Sequence, residues 1–143
     1  MIERGARPAS GLDESAAGPV PENAAEARDA VMQLLTSYFR GQAGDGLTDV
    51  VVADALLVTS ELVTNAFRHG GGLTGFAAEL TDEGLRLAVA DASPELPVAS
   101  DRANSGAVRI GGYGWPLVRK LANQVSITVH PGGKHIVALI PLT

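Results

Sequence analysis

The apolar residues of this 143-residue chain change their spacing at the glycine run 70–72, and this change constrains the fold more than any other feature. Before the run, apolar residues recur every three or four positions in 27–38 and again in 48–69, which predicts two helices. The second helix is apolar around most of its circumference, so we expect it to be largely buried. After the run, apolar residues alternate with others in 75–80 and 85–91, which predicts a β-hairpin.

The last third of the chain has the same two kinds of spacing. Residues 115–122 resume the helical spacing, with Pro116 near the helix start, and 125–129 and 135–142 predict a second hairpin. The resulting order of elements predicts an α+β fold, a two-layer sandwich with helices packed on one face of a mostly antiparallel sheet. The connection 92–113 is long for a compact domain, which is typical of a functional lid or a binding loop.

Composition excludes several classes of function. A net charge of -5 argues against the broad phosphate contact of a nucleic-acid-binding protein. The absence of cysteine excludes thiolate catalysis, disulfide scaffolds and cysteine zinc sites. The longest uncharged run, 121–133, has 13 residues and is too short to span a bilayer, and no apolar run near the start could serve as a signal peptide. We therefore expect a cytoplasmic protein without direct contact to nucleic acid or membrane.

The chain is expected to form one domain preceded by a tail. Because 45% of the residues are hydrophobic, there is enough apolar surface for one core. The segment 1–20 is the exception, since Ala, Gly, Pro, Ser and scattered charges give it little apolar surface to offset the entropy of ordering. We predict a flexible N-terminal tail over 1–20 and a single domain over 21–143.

Polar side chains form a line on the second predicted helix. Glu61, Asn65 and His69 follow one another at intervals of four residues, with Arg68 one step to the side. A carboxylate and an amide on an otherwise apolar surface need hydrogen-bond partners or contact with water. A polar seam with a hydrogen bond from one turn to the next explains this spacing as well as a binding or catalytic role does. The spacing alone therefore leaves both interpretations open.

Two further features lie at the ends of predicted elements. Asp91 ends the apolar row of Leu85, Leu87 and Val89 on one face of a strand, just where the long connection begins. Capping of that loop by the carboxylate explains Asp91 equally well. The glycine-rich stretch 111–114 precedes the last helix, where glycines allow close backbone approach and helix-start amides can hold an anion. A flexible hinge is the alternative, and the stretch matches neither a P-loop nor a dinucleotide fingerprint.

Taken in order, three segments resemble one known family. Residues 61–70 read Glu-Leu-Val-Thr-Asn-Ala-Phe-Arg-His-Gly, 91–94 read Asp-Ala-Ser-Pro, and 112–114 read Gly-Tyr-Gly before a helix. This is similar to the ATP-binding (GHKL) domain shared by gyrase, histidine kinases and the anti-sigma factor serine kinases. The chain resembles most the small stand-alone anti-sigma factor kinases of bacteria and their single-domain relatives in actinobacteria. The resemblance covers about residues 20–143, and the first segment is its most specific part.

The resemblance implies a site for ATP and Mg²⁺. Asn65 would bind the Mg²⁺ that bridges the phosphates, through its side-chain oxygen. Glu61 would be the catalytic base that orients a serine hydroxyl or a water for attack on the γ-phosphate. Asp91 would accept a hydrogen bond from the adenine amine. The other nucleotide-binding candidates are Arg68, His69, Ser93, Gly112 and Gly114, and Arg102 and Arg109 in the lid have a weaker case.

The function implied is that of a kinase-type regulator. Such a protein binds Mg-ATP, controls a sigma factor or similar transcription partner, and phosphorylates a serine of a small antagonist protein, and it can form a homodimer. A histidine kinase fragment is disfavoured, because no histidine lies on a preceding dimerisation helix. A metal hydrolase is disfavoured as well, since the chain lacks clustered metal ligands.

The chain departs from the family pattern after Asp91. The first glycine box of the family usually reads Asp-x-Gly-x-Gly, whereas 91–95 here read Asp-Ala-Ser-Pro-Glu. Glycine permits a sharp turn and close approach of the backbone to the base, which Ser93 and Pro94 do not. The alternative function is therefore a non-catalytic docking module that regulates transcription by binding another protein.

Overall fold

The computed structural model describes residues 19–40, 49–96 and 114–142. The helices are α1 (Ala24–Arg40), α2 (Asp49–His69) and α3 (Gly114–Leu121). The strands are β1 (Leu73–Thr81), β2 (Gly84–Asp91), β3 (Gln124–His130) and β4 (Gly133–Ile140). All helices and both hairpins expected from the apolar spacing are therefore present. The tail residues 1–18 and the lid candidates Arg102, Arg109 and Gly112 lie outside the described residues.

The four strands form one sheet in the order β1-β2-β4-β3, and every neighbouring pair is antiparallel. The expected α+β sandwich with an antiparallel sheet is thus confirmed. The central pair, β2 and β4, joins the two hairpins. In the register of this pair Asp91, the last residue of β2, lies opposite Lys134, the second residue of β4.

The core lies between the helices and one face of the sheet. Because strand side chains alternate between the two faces, every second residue of the central strands points toward the helices. These inward residues are at most 3% exposed: Leu85, Leu87 and Val89 of β2 and, opposite them, Ile140, Ala138 and Ile136 of β4. Val58, Leu62 and Ala66 of α2 belong to the same apolar cluster. The sheet therefore fixes which side of α2 faces inward.

Local sequence explains how α1 begins and how it meets α2. The side-chain oxygen of Asn23 accepts a hydrogen bond from the N–H of Glu26 at 2.8 Å, which satisfies one of the free donors of the first helical turn. Ala27 and Val31, one turn apart, are fully buried. Arg28, beside them, donates from Nη1 to the hydroxyl of Ser60 on α2 at 2.9 Å. The two helices are therefore joined by apolar packing and by the polar contact of Arg28 with Ser60.

The expectation that α2 is largely buried is met on one side only. Its buried residues are Ala55, Val58, Thr59, Leu62, Val63 and Ala66. On the other side Val50, Leu57 and Phe67 are exposed, because a two-layer fold covers only one side of a helix. Of the described helices, α2 alone has the length and apolar composition of a membrane span. This is weak evidence for a span, since a buried core helix meets the same criteria.

The two sides of α2 should differ in their sensitivity to truncation. Leu62 is 1% exposed and Leu57 is 39% exposed. We expect Leu62→Ala to lower the free energy of unfolding by about 3 kcal/mol, because it leaves a cavity in the core. The matched control Leu57→Ala should cost less than about 1 kcal/mol in the same urea titration. Equal losses from the two variants would contradict the assigned orientation of α2.

Candidate functional site

The start of α3 lies against the carboxylate of Glu61 on α2. Gly114, the first residue of α3, is buried. A Cβ atom at this position would overlap Oε1 of Glu61. The structure therefore brings two of the predicted site residues together, and it explains why position 114 must lack a side chain.

The environment of Glu61 suits a group that takes up a proton. Glu61 is half-buried, and the loss of hydration raises the pKa of its carboxyl, while the positive charge of Arg68 opposes the rise. A carboxyl with a raised pKa holds a proton more strongly, as a general base must during proton transfer. The direction of this shift is therefore compatible with the role that the family resemblance implies.

Asn65 lies one turn after Glu61 on the same side of α2 and is half-buried. Within the described part of the chain, no side-chain hydrogen bond joins Asn65 to Glu61 or to His69. The polar seam, which explains the spacing of these side chains equally well, is therefore not formed between them. Arg68 and His69 are exposed at the end of the helix.

The glycines that end α2 connect it to the end of β2. The N–H groups of Gly70 and Gly72 both donate to the carbonyl of Ala66, at 3.1 and 3.0 Å, and so close the last turn. The carbonyl of Gly70 accepts a hydrogen bond from the N–H of Ala92 at 2.8 Å. A Cβ atom on Gly70 would lie 2.6 Å from Cγ and Oδ2 of Asp91. The end of α2 can therefore approach Asp91 only because residue 70 is glycine.

The carboxylate of Asp91 forms a buried ion pair with Lys134. The ammonium of Lys134 lies 3.0 Å from Oδ2 and 3.2 Å from Oδ1, and both side chains are 5% exposed. Oδ1 also accepts a hydrogen bond from the N–H of Ser93 at 2.9 Å. Asp91 therefore does cap the following loop, as the alternative interpretation of the sequence holds, and it has a charged partner besides.

Lys134 is the site residue that the sequence analysis missed. Its ammonium donates to the carbonyl of Ser93 at 3.1 Å as well as to Asp91. The available signal was its position directly before the predicted strand 135–142, in step with the apolar residues of one face, where a lysine needs a negative partner. The partner belongs to the other hairpin, so spacing along the chain could not identify it.

Hydrogen bonds from side chains hold the loop after β2. Besides the bonds of Ser93 to Asp91 and Lys134, the hydroxyl of Ser93 accepts from the N–H of Glu95 at 3.1 Å. Short polar side chains that bind nearby backbone groups commonly stabilise turns. Ser93 thus gives this loop a fixed form in the place where the related family usually has glycines.

Comparison with known proteins now identifies the class of protein. The model of the histidine kinase-like ATPase domain matches residues 19–140, and the chain belongs to this family. Among curated proteins no match was found.

Two solved structures illustrate the likeness. The blue-light activated histidine kinase of Erythrobacter litoralis EL346 is similar over 81% of this chain, with 18% identical residues and a TM-score of 0.50. The present chain spans 42% of that protein, less than half its length. The catalytic domain of the histidine kinase ThkA, in a nucleotide-free form, matches 88% of this chain and 99% of its own, with 17% identity and a TM-score of 0.49. The similarity to the first structure shows a shared fold.

The close approach of Gly114 to Glu61 is testable by adding a methyl group. We expect Gly114→Ala to lower the free energy of unfolding by about 1–3 kcal/mol, because the new Cβ displaces the carboxylate. The loss should be smaller in a Glu61→Ala background, where the collision is removed. Gly132→Ala is the matched control, since a Cβ there meets no heavy atom within 4 Å. Additive losses in urea unfolding of the double variant would contradict the contact.

The Asp91–Lys134 pair should behave as a coupled unit. Lys134→Met leaves a buried carboxylate without its partner and should lower the free energy of unfolding by about 3–5 kcal/mol. The double variant Asp91→Asn/Lys134→Met removes both charges and keeps an oxygen that can accept from Ser93. It should therefore be more stable than Lys134→Met alone in thermal and urea unfolding. A double variant less stable than the single one would show that the two charges are not paired.

Proposed function

We propose that this chain is an ATP-binding regulatory protein of the anti-sigma factor kinase type. The observation that carries the proposal is the arrangement along α2, where Glu61 faces the start of α3 and the helix ends on Asp91. Membership of the histidine kinase-like ATPase family supports binding of ATP. In this proposal the protein phosphorylates a serine of an antagonist protein and controls a sigma factor or a similar partner.

Asp91 and the surrounding residues bind the nucleotide. Asp91 accepts a hydrogen bond from the adenine amine, with Ser93 beside it in the loop. Arg68 and His69, exposed at the end of α2, supply donors for phosphate oxygens. Asn65 also binds the nucleotide. Gly112 and Gly114 let the lid backbone approach the triphosphate.

The residues present fit a Mg²⁺ ion that is shared with phosphates. The described residues contain no group of three or more His, Asp or Glu side chains that could hold a metal ion by themselves. Mg²⁺ is commonly bound by one or two protein oxygens together with substrate phosphates and waters. Asn65 offers one such oxygen, and the ion would neutralise the charge of the phosphates when bound.

Glu61 is the residue that acts on the attacking group. Its carboxylate orients the serine hydroxyl of the antagonist protein and accepts the hydroxyl proton as the oxygen bonds to the γ-phosphorus. The bond between the γ-phosphorus and the bridging oxygen breaks, and ADP leaves. The half-buried position of Glu61 beside Gly114 supports this role, because it keeps the carboxylate in one place relative to the start of α3.

The protein has one folded domain and acts in the cytoplasm. Residues 1–20 form a tail and 21–143 the ATP-binding domain, and the protein is cytoplasmic. It acts on protein partners and can form a homodimer in the manner of related kinases, with no direct role for nucleic acid or membrane.

Two observations favour a second function, that of a docking module. Asp91 is already paired with Lys134, and the loop after it has Ser93 and Pro94 where the family has glycines. If these features prevent nucleotide binding, the protein regulates transcription by protein–protein contact alone.

A thermal melt with and without Mg-ATP separates the two functions. A ligand that binds only the folded state at a hundred times its dissociation constant adds about 2.7 kcal/mol of stability. We therefore expect the full chain to melt at a higher temperature with millimolar Mg-ATP or Mg-ADP. The absence of any shift would favour the docking module.

The two polar residues of α2 should have separable roles. Asn65→Ala should weaken Mg-dependent nucleotide binding in calorimetric titration, because it removes an oxygen ligand of the metal. Glu61→Ala should leave binding intact and lower the rate of phosphate transfer or hydrolysis by about a hundredfold to ten-thousandfold.

The fold of each variant is checked by circular dichroism before titration. Equal nucleotide binding by wild type and both variants would contradict the metal role of Asn65. If both variants lose stability and neither has a selective effect on nucleotide binding, the two residues have only the structural role of a polar seam.

A further inference from the structure

The burial of Lys134 is not explained by stability. The chain has two lysines, of which Lys120 is exposed on α3 and Lys134 is 4% exposed at the start of β4. Removing an ammonium and a carboxylate from water is costly, and apolar residues of similar volume are often as stabilising as a buried ion pair. A lysine at this position therefore calls for an explanation besides packing.

The contacts that Asp91 makes with Lys134 and Ser93 are shared unequally between its two carboxylate oxygens. A carboxylate has about four lone-pair sites. Oδ1 accepts from the N–H of Ser93 at 2.9 Å and from the ammonium of Lys134 at 3.2 Å, whereas Oδ2 accepts from Lys134 alone, at 3.0 Å. The carboxylate packs against Gly70, where a Cβ atom would collide with it. Oδ2 is thus the oxygen with remaining capacity for a donor.

The sheet fixes the geometry of this arrangement. Asp91 and Lys134 are directly opposite in the register of β2 and β4, so the backbone sets the separation of the two side chains. Without Lys134, the bond from Ser93 to Oδ1 would be the one remaining hydrogen bond to the carboxylate from the described residues. The same ammonium also holds the carbonyl of Ser93 at 3.1 Å, and so restrains the loop that follows β2.

We propose that Lys134 is a positioning residue for base recognition, which orients Asp91 so that Oδ2 receives the adenine amine. This inference rests on the proposed function, because it assumes that the nucleotide binds at Asp91. In this arrangement the Asp91–Lys134 pair and Ser93 fix the form of the loop beside the base, in the place where the family usually has glycines. Selectivity for a base with an exocyclic amine then depends on a residue of β4.

The experiment compares Mg-ATP with the Mg complex of purine riboside 5′-triphosphate, which lacks only the amine. Dissociation constants are measured by calorimetric titration for the full-length wild type and for Lys134→Met. Lys134→Gln serves as a second variant, because its neutral amide can still donate to Asp91 if the methionine variant does not fold. The matched control is Lys120→Met, which removes the exposed lysine.

We expect the wild type and Lys120→Met to bind ATP about tenfold more tightly than the analogue, since one hydrogen bond to a charged acceptor differs between them. In Lys134→Met the affinity for ATP should fall toward that of the analogue, while the affinity for the analogue changes little, so the ratio of the two dissociation constants should approach one. In Lys134→Gln, which keeps a neutral donor to Asp91, the ratio should fall part of the way from the wild-type value.

Three outcomes would overturn the inference. Equal weakening of both nucleotides with an unchanged ratio would mean that Lys134 has a structural role only. Tighter ATP binding in the variants would mean that Lys134 competes with the base for Asp91. Wild type that binds ATP and the analogue equally would show that the amine is not recognised, with the proposed function intact. Wild type that binds neither nucleotide would instead contradict the proposed function itself.

Discussion

Two carboxylates of this domain lie where only glycine leaves room for them. Glu61 faces Gly114 and Asp91 faces Gly70, and at both glycines a Cβ atom would collide with the carboxylate. A Cβ atom on Gly133 would likewise collide with the main-chain oxygen of Asp91. The end of α2, the end of β2 and the starts of α3 and β4 can therefore approach one another closely. The relative positions of the candidate site residues depend on these close contacts, because each carboxylate packs against a glycine of a different element: Glu61 against α3, and Asp91 against the end of α2.

The ion pair couples the stability of the sheet to the form of the site. A buried charge needs a partner, and removing one member of a pair leaves the other without compensation. Asp91 therefore cannot be changed without an effect on Lys134, and Lys134 in turn binds the carbonyl of Ser93. A change at the start of β4 is thus transmitted to the loop after β2. This link runs across the two central strands, which are also the most buried strands of the domain.

Much of this arrangement could be predicted from local patterns in the sequence. Helical and alternating spacing identify the helices and both hairpins, because each element buries one face. Glu61 and Asn65 could be placed on one side of α2 because helical spacing determines which residues are neighbours. The partner of Asp91 could not be predicted, since pairing of β2 with β4 joins two hairpins that are distant in sequence. The exposed side of α2 was also not predictable, because its apolar residues occur on all sides and only the packing of layers decides which are covered.

The charge of Asp91 supports the proposed binding role over that of a simple loop cap. If Asp91 only accepted the N–H of Ser93, a neutral asparagine would provide the same oxygen and no buried ammonium would be needed. A charged acceptor, by contrast, binds a neutral donor more strongly than a neutral acceptor does, and the difference is largest away from water. To keep that charge at 5% exposure, the fold must supply a positive group in contact with it, and Lys134 is that group. The pair therefore suits a carboxylate that receives a donor from outside the chain better than one that only closes a turn.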